Sequence, residues 1–110
     1  TTSTETDIIL VNYESFNQPS TLYGIDYGKK AEVLKTLPDR FNAKDVIVEQ
    51  KFSTSKDGTK VPYFLIRKSS VALNGEAPTL LYGYGGFTVS QAPAYNGVVG
   101  KLWLERGGVY

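Results

Sequence analysis

The sequence predicts a β-rich α/β chain, and three patterns carry that prediction. Short β-branched and aromatic runs separated by close turns occupy residues 8–35. Apolar and polar residues alternate on either side of Asp57-Gly58, as in a hairpin. An apolar run, a glycine cluster and a helix-spaced stretch then follow in that order toward Tyr110.

Ile8-Ile9-Leu10-Val11, bounded by Asp7 and Asn12, is expected to form a strand buried on both faces. Residues 15–20 are expected to turn, because Pro19 has no N–H to give to a ladder. Residues 21–26 form the second expected strand, Tyr27-Gly28-Lys29-Lys30 the next turn, and residues 32–35 the third strand. Three short strands joined closely make a meander, most of one sheet or of one propeller blade. Residues 38–45, opened by Pro38, break the pattern and are the candidate domain boundary.

Beyond the break, Val46, Val48 and Phe52 alternate with Glu49, Lys51 and Ser53, which describes a strand with one wet face. Lys56-Asp57-Gly58-Thr59 supplies the turn, and Tyr63-Phe64-Leu65-Ile66 the partner strand, with Pro62 at its start or on an edge. A polar loop through Asn74-Gly75-Glu76 leads to a strand at residues 79–82. Val98, Val99, Leu102 and Trp103 have helical spacing, weakened by Gly100, and Arg106-Gly107 suits a basic last turn and its cap. Strand, glycine loop, helix and a final strand beginning at Val109-Tyr110 would make a β-α-β crossover. The absence of Met and the apolar end at Val109-Tyr110 make an excised piece of a longer chain the expectation.

Composition excludes several kinds of chemistry. The net charge is +1, and the basic pairs Lys29-Lys30 and Arg67-Lys68 are too small for a nucleic-acid surface. With no Cys and no His, the chain contains no thiol nucleophile, thiolate metal site or self-contained Ser-His-Asp triad. Lys, Tyr and carboxylate chemistry stays open, and no cofactor or metal is expected. No apolar run approaches the roughly 20 residues that span a membrane. Thr1-Thr2-Ser3-Thr4 lacks the basic and apolar regions of a signal peptide. A cytoplasmic location is expected, with periplasmic or secreted locations left open.

The residues that stand out are Tyr82-Gly83-Tyr84-Gly85-Gly86-Phe87. Glycine at 83, 85 and 86 gives the backbone access to conformations closed to other residues and lets another group come close. The spacing fits neither a Gly-x-Gly-x-x-Gly nor a Walker phosphate loop. Two readings stay open: a tight turn with packed aromatics, or a preorganised loop that stabilises an anion, to which a Tyr hydroxyl can donate. The remaining candidates have plainer readings. Asp39, Asp45 and Glu49 are expected to be solvated, Ser53, Ser55, Ser69 and Ser70 to serve turns, and Trp103 to anchor a core. Tyr13, Tyr23, Tyr27, Tyr63, Tyr82 and Tyr95 are read as half-buried strand or loop aromatics.

The same loop, preceded by Pro78-Thr79-Leu80-Leu81, resembles the signature of the prolyl oligopeptidase family. Residues 53–62, through Ser55-Lys56-Asp57-Gly58-Thr59, resemble that family's hairpin at the start of its hydrolase domain. Residues 15–23 resemble its last propeller blade, and Arg106-Gly107-Gly108-Val109-Tyr110 the approach to its next strand. Gly85-Gly86-Phe87 distinguishes the loop from that of the related oligopeptidase B branch.

The resemblance implies a seven-bladed β-propeller joined to an α/β-hydrolase domain, and cleavage of short peptides after proline by a Ser-Asp-His triad. Residues 1–43 would be the C-terminal part of the propeller, and residues 44–110 the first strands and first helix of the hydrolase sheet. Tyr84 matches the tyrosine that stabilises the oxyanion, Phe87 the aromatic lining the proline pocket, and Gly83, Gly85 and Gly86 shape the loop. Proline-containing peptides and the remainder of the parent chain are the implied partners, with no nucleic acid and no membrane. Nucleophile, acid and base are absent, so the segment alone is expected to be inactive. A non-catalytic β-rich binding or structural module is the competing reading.

Overall fold

The computed structural model describes Glu5 and residues 7–110. The signal-peptide reading of residues 1–4 lies outside the described residues, as does the very start of the 1–43 segment. The chain divides into two compact units: one ends at Asp39 and takes in Pro93–Tyr95, the other comprises Arg40–Ala92 and Asn96–Tyr110. The division between Asp39 and Arg40 leaves Phe41 and Asn42 packed within the second unit. Phe41 is only 6% exposed, and the Asn42 N–H donates to Glu105 Oε1 at 2.9 Å.

In the first unit β1 (Ile8–Ser15), β2 (Gln18–Asp26) and β3 (Glu32–Thr36) form an antiparallel sheet in the order β1-β2-β3. Two expectations need correcting. Ile8, Ile9, Leu10 and Val11 are exposed rather than buried on both faces; an apolar run reports which residues suit burial, while burial itself needs a covering layer. Residues 18–20 belong to β2 instead of a turn, which shrinks to Phe16-Asn17. Pro19 is tolerated because pairing passes from Ser15↔Gln18 to Tyr13↔Thr21 with a register shift, so its missing N–H costs no ladder bond. Gly28, at φ 74, closes the β2–β3 turn.

In the second unit β4 (Val46–Thr54) and β5 (Lys60–Lys68) pair antiparallel in continuous register from Val46↔Lys68 to Thr54↔Lys60. The wet-face alternation holds at one end only: Val46 is buried and Val48 half-buried, but Phe52 is exposed. At the turn the Gly58 N–H donates to Ser55 O at 3.0 Å, and Gly58 sits at φ 87. Asp57 accepts from Ser55 Oγ and from the Thr59 N–H. The Ser55 hydroxyl, followed by the Thr59 amide, lowers the Asp57 pKa from 3.8 to about 2.

Val109 and Tyr110 extend this hairpin into a mixed sheet. Ile66 and Tyr110 exchange both backbone hydrogen bonds, at 2.7 and 2.9 Å, the antiparallel arrangement. On the other side Thr79 and Val109 form a parallel bridge, with Val109 N–H donating to Pro78 O and Leu80 N–H donating to Val109 O. The expected strand at residues 79–82 is therefore reduced to one bridge, because the pairing partner it has here consists of Val109 and Tyr110 alone. The connection between the two is a parallel crossover containing a helix, as expected.

That helix, α1 (Gly97–Leu102), is capped by Asn96, whose Oδ1 accepts from the Val98 and Val99 N–H groups. A 3-10 turn (Leu104–Arg106) follows and ends at Gly107, φ 88, in the capping role expected of it. Gly100, expected only to weaken the helix, is its buried residue. A Cβ there would lie 2.0 Å from Phe41 Cδ1, so glycine lets the ring seat against the helix backbone. Val98 and Leu102 are exposed, while Val99 and Trp103 are half-buried. Trp103 is an anchor chiefly through its indole N–H, which donates to Val109 O at 2.8 Å. Lys101 and Glu105 pair at 2.8 Å, and this contact, with the Asn42 N–H, holds the Glu105 carboxyl below its ordinary pKa.

Ala has a helix-propensity advantage over Gly of up to about 1 kcal/mol, but a Cβ overlapping a buried ring costs about 1–3 kcal/mol. Gly100→Ala should therefore lower stability despite the propensity, measured by urea unfolding followed through Trp103 fluorescence. An unchanged or raised midpoint would contradict the packing. The Asp57 pKa is depressed in the fold, so its stabilising contribution is complete above the ordinary 3.8 and is lost as pH falls toward about 2. An NMR titration of the Asp57 carboxyl carbon should give a midpoint near the lower value, and Ser55→Ala should raise it. A midpoint at the ordinary value in the unsubstituted chain would remove the Ser55 contact.

Candidate functional site

The glycine-aromatic loop begins where the sheet pairing stops. Leu80 is held by its bond to Val109 O, and residues 81–85 then run exposed with no regular secondary structure. The Val89 N–H donates to Gly86 O at 3.1 Å, closing a four-residue turn. Its central residues, Phe87 at φ 55 and Thr88 at φ 58, both lie in the left-handed region. This is the pattern of a type I′ turn, which ordinarily selects Asn and Gly.

The glycines behave differently from expectation. None of Gly83, Gly85 and Gly86 has a left-handed φ, and a Cβ at Gly83 or Gly85 would meet nothing within 4 Å. The unusual backbone falls on the two following residues instead. A β-branched residue such as Thr88 is a rare occupant of that region. Sequence reasoning had no signal for this, since Phe-Thr is not a turn dipeptide.

Tyr84 folds back toward Gly86. A Cβ on Gly86 would lie 3.9 Å from both Tyr84 Cε1 and Tyr84 Oη, an ordinary packing distance. The side chain is 47% exposed, and among the described residues its hydroxyl has no hydrogen-bond partner. Phe87 is 92% exposed. The loop thus presents two phenolic O–H groups, of Tyr82 and Tyr84, and the apolar ring of Phe87. Two shallow clefts lie elsewhere, about 270 Å³ beside Gly24 and Leu34 in the first unit and about 470 Å³ beside Arg40 and Lys101 in the second.

The plainer readings divide. Asp39 and Asp45 are exposed as expected. Glu49 is not simply solvated: it is half-buried and faces Lys51 at 3.4 Å and Arg67 at 3.9 Å. Arg67 is not a free surface charge either, since its Nη1 donates to the Lys68 and Val71 carbonyls. In the β4–β5 ladder Arg67 pairs opposite Ile47 and Glu49 opposite Leu65. Among the described residues no three His, Cys, Asp or Glu side chains gather as metal ligands, and no helix is long and apolar enough to cross a membrane.

Comparison with known proteins gives a consistent result. The chain is 48% identical over 107 residues to an uncharacterized peptidase of Sinorhizobium fredii, covering 96% of this chain and 15% of that protein. It is 40% identical over 101 residues to the prolyl endopeptidase of Elizabethkingia miricola, covering 90% of this chain and 14% of that enzyme. A solved prolyl endopeptidase structure superposes on 100% of this chain and 16% of its own, with a TM-score of 0.89 and 36% identity. The chain belongs to the prolyl oligopeptidase family. No protein-family model matches it.

The chain spans about 15% of the length of the curated relatives it matches. The β-rich fold, with five strands and one short helix, matches a segment of a family structure.

Because a Cβ at Gly83 meets nothing and its φ is not left-handed, Gly83→Ala should change stability by no more than about 1 kcal/mol. Thermal or urea unfolding checks this, and a loss above about 2 kcal/mol would show that the loop backbone is strained at Gly83 as well.

Proposed function

We propose that this chain is the segment of a serine-type endopeptidase that supplies an oxyanion donor and a seat for proline. The whole protein hydrolyses short peptides on the carboxyl side of proline. The observation that carries this reading is the loop itself: Tyr84 holds an unengaged phenolic O–H beside the Gly86 backbone, next to the outward ring of Phe87. Residues 1–43 complete a propeller and residues 44–110 open the hydrolase sheet. The three-stranded antiparallel sheet in one unit and the mixed pairing in the other support that division.

In the proposed reaction a serine oxygen supplied by the rest of the protein attacks the carbonyl carbon of the proline residue. The carbonyl π pair moves onto oxygen, and a histidine takes the serine proton. Tyr84 O–H donates to the resulting oxyanion, a bond stronger to the tetrahedral intermediate than to the substrate carbonyl. Collapse of the intermediate returns the electron pair to the carbonyl and expels the amine, which takes the proton from histidine. Water then attacks the acyl-serine, giving its proton to histidine, and the serine oxygen leaves with that proton to release the acid. Phe87 places an apolar surface against the pyrrolidine ring. Without a nucleophile or base the segment alone turns nothing over.

Tyr84→Phe removes only the hydroxyl. In the full-length protein it should lower kcat on a blocked Gly-Pro nitroanilide by about 10- to 1000-fold with little change in KM. A kcat within twofold of the unsubstituted protein would refute the oxyanion role.

A further inference from the structure

We infer that Thr88 is a positioning residue that sets substrate affinity by controlling how often the 86–89 turn presents Phe87. The inference rests on the proposed role of Phe87, and the experiment below separates the two.

Both central residues of this turn hold left-handed φ values, 55 at Phe87 and 58 at Thr88, with Val89 N–H bonded to Gly86 O. Phe87 needs a positive φ to project its ring as it does. A turn of the opposite hand would carry the Phe87 Cβ to the other side of the loop, because the mirror-image backbone reverses the side-chain direction. Among the described residues the turn is exposed from Phe87 to Ser90. Left-handed backbone is unfavourable for L-residues, and most of all for β-branched ones. A turn built from Phe and Thr is therefore poised between the displayed form and relaxed alternatives.

When only a fraction of molecules holds the binding-competent form, the apparent dissociation constant rises by the reciprocal of that fraction. Thr88 acts at this point: it touches no substrate in the proposal and works only through Phe87. Asn accepts left-handed φ several-fold more readily than other non-glycine residues and is close to Thr in size. Proline, with φ fixed near −65°, forbids the conformation altogether.

The test is steady-state kinetics of the full-length protein on a blocked Gly-Pro nitroanilide, with Thr88→Asn, Thr88→Pro and Phe87→Ala compared. Thr88→Asn should lower KM by about 3- to 10-fold with kcat within twofold, and Thr88→Pro should raise KM by at least about 10-fold. A Thr88→Asn KM that is unchanged or higher, while Phe87→Ala raises KM, overturns the positioning role and leaves the proline seat standing. An unchanged KM in Phe87→Ala overturns both. If Thr88→Pro does not fold, the Asn variant alone decides.

Discussion

The second unit depends on the backbone pairing of Val109 and Tyr110. Val109 is 3% exposed, and Ile66, which pairs with Tyr110, 1% exposed. Val109 O takes bonds from both Leu80 N–H and Trp103 Nε1–H, while Val109 N–H satisfies Pro78 O. Tyr110 joins the same segment to β5 through Ile66. Two residues therefore connect the β4–β5 hairpin, the end of the helical segment and the root of the glycine loop. Each bond is worth only about 1 kcal/mol net, but leaving such buried groups unpaired would cost more, so the segments are held as a set. The glycine loop leaves the sheet at Leu80, where this anchoring ends.

Much of this was legible in the residues. Asp57-Gly58 between alternating runs specified the β4–β5 hairpin, and Arg106-Gly107 marked where the helical segment stops. Local chemistry decides such features, and sequence displays it directly. The role of Gly100 was not legible, since a helix interior penalises glycine and only the distant Phe41 ring explains it. Ile8 to Val11 misled in the opposite sense: their pattern announces suitability for burial, and they are exposed. Arg67 read only as half of a short basic pair, and its guanidinium ties down two backbone carbonyls. In each case the deciding partner lies outside the local window that a pattern covers.

The loop divides in the same way. Its composition drew attention to Tyr82 through Phe87, and the unusual backbone begins at the last of these. Composition pointed to the glycines as the source of unusual backbone, yet Gly83, Gly85 and Gly86 avoid the left-handed region that Phe87 and Thr88 occupy. An aromatic residue and a β-branched residue carry a conformation that neither prefers. Strain of this kind persists where surrounding structure or function requires it, which places the informative residue one position beyond the recognised motif.

The catalytic reading concerns where one hydroxyl stands relative to charge that exists only during the reaction. A crystal structure of the full-length protein carrying a proline-based covalent adduct that mimics the tetrahedral intermediate measures this directly. Tyr84 Oη should lie about 2.7–3.1 Å from the adduct oxygen that represents the oxyanion. An adduct in which that oxygen is satisfied entirely by other donors, with the phenol turned away, would contradict it.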